Sequence, residues 1–212
     1  MMDHTELRLF QDAHVLDDFT DKQVSILVAA IDVFATKGYA NTSTKEIAKQ
    51  AGVSEGNIFN KFTNKRGLLD AIIEPVIYSI FPSTMQDLVQ SSPSDDFLTL
   101  HAFVDAFIRN RLEFLYANEK VLKILISELA YDNQTRSDFF DNLPKEIFVN
   151  LNQELDQLKD RHMLIDWPNP EIIRIIITMT GGLALGRLFF DQTIKDSEVT
   201  HTVNAMTKAL AK

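Results

Sequence analysis

The chain has 212 residues, no cysteine and a formal net charge of −9, from 30 acidic against 21 basic side chains. That length suffices for one good core, or for a small domain beside a larger one, and the missing cysteines exclude disulfide frameworks, thiolate zinc sites and cysteine nucleophiles. So acidic a balance also excludes indiscriminate coating of nucleic acid, so any such contact must be local.

The first twenty residues, MMDHTELRLFQDAHVLDDFT, scatter acids and lack an apolar run behind a basic start. They read as an N-terminal extension and not as a secretory signal, and a cytoplasmic location is expected. Thr20-Asp-Lys-Gln23 has capping-box spacing, and Val24, Leu27, Val28, Ile31, Phe34 and Ala35 share one helical face until Gly38 offers a stop. Ser43-Thr-Lys-Glu46 predicts a second capping box, opening a short helix that ends near Ala51 at Gly52. Ser54 is expected to cap a third helix over residues 55–61, and Asn64 a fourth from Lys65 to Ser79, bent at Pro75.

Past Pro82 and the loop 91–96, helices are expected over residues 95–117, 119–131 and 135–160, the last broken at Pro144. Asn169-Pro170 reads as the cap and first-turn proline of a helix over 170–190, and a final helix occupies 197–211. The stretch 172–190 is nearly long enough to span a bilayer, but Arg174 and Arg187 inside it argue for a buried interface helix and no membrane partner. No strand, repeat or low-complexity signal interrupts this pattern, so the fold class is all-α.

Residues 22–66 hold seven bases (Lys22, Lys37, Lys45, Lys49, Lys61, Lys65, Arg66) against three acids (Asp32, Glu46, Glu55), a local +4 in an acidic chain. Within this stretch Ala48, Gly52 and Ile58 meet the needs of two short helices crossing through a tight turn, with Ile47 and Val53 adding apolar contacts. The spacing predicts a helix-turn-helix on a supporting first helix. What it leaves outward on the third helix is Glu55, Gly56, Asn57, Phe59, Asn60 and Lys61. Gly56 lets backbone come close, Asn57 is a candidate base reader, Phe59 can pack on sugar or a thymine methyl, and Lys61 can meet phosphate. Asn60 joins them as an outward polar residue. Thr44 and Lys45 at the start of the second helix, and Lys65 at the start of the fourth, are expected to bind phosphate. Glu55 faces the wrong charge for that role and finds no place in the site.

Over residues 38–72, GYANTSTKEIAKQAGVSEGNIFNKFTNKRGLLDAI resembles the DNA-binding domain of the TetR/AcrR family of transcriptional regulators. The likeness is carried by Gly38-Tyr39, Thr42 to Thr44, Ile47-Ala48, Ala51 to Ser54, Ile58-Phe59, Phe62, and Lys65 with Leu68-Leu69. Two features depart from the family pattern: Phe59 stands where members commonly have tyrosine, and the twenty residues before the first helix exceed the usual short arm. The resemblance implies an N-terminal three-helix DNA-binding domain, here 21–66, and a C-terminal helical domain, 67–212, that dimerises and holds a small effector.

In that second domain Gly182 and Gly186 are four apart, which lets a partner backbone approach, and Val199, Val203 and Met206 form a stripe on the last helix. These five are the expected dimer contacts, on a penultimate helix that is apolar nearly all round. Phe107 among the aromatics, with the polar His101, Arg109, Glu128 and Tyr131, are candidate effector residues. No catalytic motif, cofactor loop or metal-ligand spacing is present: there is no phosphate-cradling glycine loop, and histidines 4, 14, 101, 162 and 201 are far apart in sequence. The expected function is a homodimeric, ligand-responsive repressor of a palindromic duplex DNA operator, not an enzyme. The alternative is a helical dimer that binds a small molecule or a protein and carries a vestigial helix-turn-helix.

Overall fold

The computed structural model describes residues 7–80, 97–143 and 145–212. Its helices are α1 (Arg8–Asp12), α2 (Asp21–Lys37), α3 (Thr44–Ala51), α4 (Glu55–Phe62), α5 (Lys65–Pro75), α6 (Leu100–Ala117), α7 (Glu119–Tyr131), α8 (Asn133–Asp141), α9 (Lys145–Asp160), α10 (Asn169–Phe190) and α11 (Asp196–Leu210). No strand occurs among the described residues, which hold only an isolated antiparallel bridge between Leu164 and Ala211. The all-α expectation holds. Pro82, the loop 91–96 and Pro144 lie outside the described residues; residues 97–99 are not helical, so the helix expected over 95–117 begins at Leu100.

Local chemistry explains most boundaries. At α2 the capping box closes both ways: Gln23 N–H donates to Thr20 Oγ1 at 3.4 Å and Thr20 N–H to Gln23 Oε1 at 3.0 Å. At α3 only half the expected box forms, because Ser43 Oγ accepts from Glu46 N–H while the Glu46 carboxylate turns to pair with Lys37. Ser54 stands at the N-cap of α4 with extended backbone but makes no cap bond; its hydroxyl accepts from the Asn57 side-chain amide at 2.8 Å. Asn64 caps α5 as expected, accepting from Gly67 N–H at 2.9 Å. Where Pro75 removes an N–H from the ladder, α5 continues as a π-helical turn over Val76–Ile80.

The chain divides into two compact units, Met1–Pro82 with Ala117–Leu143, and Ser83–Tyr116 with Pro144–Lys212. In the first, α2 supplies Ile26, Leu27, Ile31 and Phe34 to one core, which α3 and α4 complete with Ile47, Ile58 and Phe62. The same core takes in Leu68 and Ile72 of α5, Val121 and Ile124 of α7, and Phe139 of α8. The segment after residue 66 is therefore shared between the units, whereas the division at 66 read from the sequence is one of role. Leu7 and Phe10, from the extension, are 0% exposed and belong to this core as well.

The second unit buries Val104, Ile108 and Leu112 of α6, Leu155 and Leu158 of α9, Ile172, Leu183 and Leu188 of α10, and Val203 and Met206 of α11. Its C-terminus is held by Ile165 N–H on Leu210 O at 2.8 Å. Asn169 is the first residue of α10 and not its cap; its side chain accepts from Lys159 at 2.6 Å and donates to Asp156 at 2.9 Å. By length and composition alone α10 passes for a membrane span. In this unit it is a core helix on one side only: Ile177, Leu185 and Phe190 are exposed, so the expected all-round burial is not met within the protomer.

Candidate nucleic-acid interface

The turn between α3 and α4 is built as the sequence requires. Gly52 adopts φ +68°, a left-handed conformation in which a side chain would be strained, and this lets Val53 N–H reach back to Ala48 O at 3.0 Å. Ile47, Ala48 and Ile58 are buried and Val53 packs partly against the same core. With Ile58 and Phe62 turned inward, α4 shows solvent Gly56, Phe59, Asn60 and Lys61, Phe59 being 45% exposed, while Asn57 is half-buried. Lys45 at the start of α3 is exposed too.

Three of the expected contacts are occupied inside the protein. The Thr44 hydroxyl donates to Glu55 Oε1, which ties the first turn of α3 to the first turn of α4. Glu55 is thus a brace, and the Thr44 proton expected to serve a phosphate is already given to it. Asn57 spends one amide hydrogen on Ser54, leaving its carbonyl and second hydrogen for a base edge. Lys65 donates to Tyr39 O and Thr42 O, both at 2.9 Å, with its ammonium 4.3 Å from the Tyr39 ring centroid. A third N–H of that ammonium is left for a phosphate.

Sequence reasoning missed two further participants. Gly67 lies where an added Cβ would collide with the Phe62 carbonyl, so it lets the start of α5 close against the end of α4. Phe19 packs on Phe62 at 6.2 Å between centroids, and Lys61 Nζ sits 4.5 Å over the Phe19 ring. Its signal was an aromatic residue placed immediately before a capping box, the position from which a side chain staples a helix start.

The residues proposed for an effector divide between the units. On α6 in the second unit, Phe107 is half-buried, but His101 is exposed and bonded to Asn204, and Arg109 is exposed and paired with Asp105 and Asp196. On α7 in the first unit, Tyr131 is 91% exposed. Glu128 is half-buried there, and burial, reinforced by Asp132 and Asp70 against the opposing pull of Arg66, raises its carboxyl above the ordinary range. His101 and Arg109 are therefore exposed groups already engaged by partners within the second unit.

The expected dimer contacts also need correction. Val199, Val203 and Met206 are buried inside the protomer, and Gly186 is buried where a Cβ would collide with the Gln192 amide. Their small or apolar character is used by this chain's own packing. Gly182 alone of the five is exposed, with open space around its Cα.

Residues 26–72 match the family described as bacterial regulatory proteins, tetR family. An uncharacterized HTH-type transcriptional regulator of Bacillus subtilis, YvkB, is 52% identical over 48 residues, 23% of this chain and 25% of that protein. The fatty acid metabolism regulator protein of Bacillus subtilis is 30% identical over 79 residues, 37% of this chain and 41% of that protein. The chain thus spans between a quarter and under half of the length of these two relatives. Among solved structures, the fatty acid degradation regulator FadR from Bacillus halodurans superposes with TM-score 0.59 at 22% identity, covering 89% of this chain and 94% of that one, a likeness of fold.

Proposed function

We propose that this TetR-family transcriptional regulator, whose family domain spans residues 26–72, acts as a homodimeric repressor of a roughly palindromic operator and is released from it by a small, largely apolar effector. The observation that carries the reading is the outward face of α4. Its two apolar anchors are buried, and Gly56, Phe59, Asn60 and Lys61 are presented to solvent on a rigid turn in the one basic part of an acidic chain. Two copies of α4 would enter successive major grooves, one helical turn or a multiple of it apart.

Asn57 and Asn60 are the base readers in this scheme, Phe59 packs on sugar or a thymine methyl, and Lys45, Lys61 and the free donor of Lys65 take phosphates. Phe59 supplies no hydroxyl for a phosphate, so its contact is apolar. An effector favours a dimer shape whose heads are mis-spaced, and it does so only through its different affinity for the two shapes. Its site draws on the aromatic α6 and the residues just before it: Phe97 stacks edge to face on Phe103 at 5.7 Å, and Phe107 is half-buried. The relative named for fatty acid metabolism makes an acyl chain the first effector to try.

The alternative of a vestigial helix-turn-helix draws on Glu55 and on the absent hydroxyl at Phe59; Glu55 is engaged by Thr44, which leaves Phe59 as its remaining support. Selection of bound duplexes from a random pool, followed by a salt titration, tests the proposal. The expected result is an enriched palindrome whose affinity falls steeply with salt; no enrichment and a flat salt response would overturn it.

A further inference from the structure

We propose that Phe19 is a positioning residue for DNA reading: the N-terminal segment is part of the reading head, and its last aromatic ring sets the end of α4. This rests on the DNA-binding reading above. The segment is anchored at its far end by Leu7 and Phe10, both wholly buried in the core that also holds Ile58 and Phe62. Leu9, Ala13, Val15, Leu16 and Phe19 pack against the same core, and Phe19 N–H is held on Leu16 O at 2.9 Å. Phe19 then precedes Thr20, the closed cap of α2, so its backbone is fixed on both sides.

From that fixed place the ring meets two residues of the last turn of α4. It packs at a tilt of 48° on Phe62, the inward anchor of the helix, and it lies under the ammonium of Lys61, the outward residue next to that anchor. Lys61 has no carboxylate partner among the described residues, so the ring is its one ordering contact. A lysine stem is long and flexible, and an ammonium held over a π face reaches a phosphate with less rotamer freedom to lose. Phe19 would therefore act on DNA through Lys61 without touching DNA.

The test uses the full chain and two readouts. In NMR without DNA, the Lys61 ε-methylene protons of the wild type should lie upfield from the ring current, and Phe19→Leu, which keeps apolar bulk against Phe62, should return them to ordinary lysine shifts. In binding to the enriched duplex, Phe19→Leu should lose about threefold in affinity, and Lys61→Ala should cost about fivefold in the wild type but less than twofold in the Phe19→Leu background. Thermal melting shows that each variant is folded.

An unshifted Lys61 in the wild type overturns the contact. A shifted Lys61 with equal losses from Lys61→Ala in both backgrounds overturns the positioning role. If the wild type enriches no duplex, the DNA-binding reading falls and the positioning role with it, while the NMR arm still reports whether the contact exists.

Discussion

Lys65 shows how one side chain divides between holding a head together and using it. Its ammonium closes the α2–α3 turn onto the start of α5 through the carbonyls of Tyr39 and Thr42 and lies over the Tyr39 ring. Charge-assisted hydrogen bonds at a half-buried site contribute about 1–2 kcal/mol together, so Lys65→Ala should lower the melting temperature by a few degrees and weaken all duplexes alike. Asn57 has the opposite signature. Its one internal bond is to the exposed Ser54 hydroxyl, so Asn57→Ala should leave the melting temperature nearly unchanged and relax preference at particular base pairs. Melting curves and binding to single-base operator variants separate the two, and a uniform loss from Asn57→Ala would remove it as a reader. The same logic covers Glu55, whose acidity made sense only once the Thr44 hydroxyl was found opposite it, eleven residues away in sequence.

At the scale of elements, caps placed helix starts and packing decided their partners. Asp132 caps α8 by accepting from Thr135 N–H at 2.7 Å and also accepts from Arg66 at 3.2 Å, which links the α7–α8 corner to the start of α5. The Thr135 backbone bond chiefly, aided by the Thr135 side chain and Arg66 and opposed by slight burial, holds the Asp132 carboxyl below its ordinary value. A depressed carboxyl contributes stability that is complete above the unfolded-state pKa of about 3.9 and is lost as pH falls through the lower folded value. Asp132→Asn keeps a capping oxygen and removes that titration. Its melting temperature should therefore fall less steeply below about pH 4 than that of the wild type, and parallel acid limbs would refute the assignment. The helix-turn-helix was legible because period, cap and turn glycine agree over residues 43–62 in contacts only a few residues apart. The membership of α7 and α8 in the first core was not, since α7 meets α2 and α5, and α8 meets the turn Val76–Ile80, across more than forty residues. Nor was the fate of Glu46, whose charge found Lys37 more favourable than the helix end it was expected to cap. Val199, Val203 and Met206 show the same limit: a periodic stripe states that a face is buried, not whether its own chain or a second copy buries it.

For the whole molecule, the excess of acid outside residues 22–66 leaves a basic stretch that, in the proposed function, orients the chain toward DNA, and one such head would read too little sequence to be specific alone. Pairing two heads raises the effective concentration of the second, which is why the proposed dimer matters to affinity and not only to symmetry. The stripe that suits a second copy lies on α10, where Ile177, Leu185 and Phe189 are exposed at intervals of four or multiples of four with Gly181 between them, and Gly182 leaves open space beside it. Ile177 is 64% exposed in the protomer, so changing it should barely affect the fold of one chain. In a dimer using this face the same side chain would be desolvated, and a carboxylate there would be buried against an apolar partner. Ile177→Glu should therefore halve the mass seen by sedimentation at micromolar concentration, hold the melting temperature of the protomer within a few degrees, and lower affinity for the palindrome by about 100-fold. Affinity for a single half-site should stay at the wild-type level, because each head is intact. An unchanged mass with unchanged palindrome binding would move the interface off this face of α10.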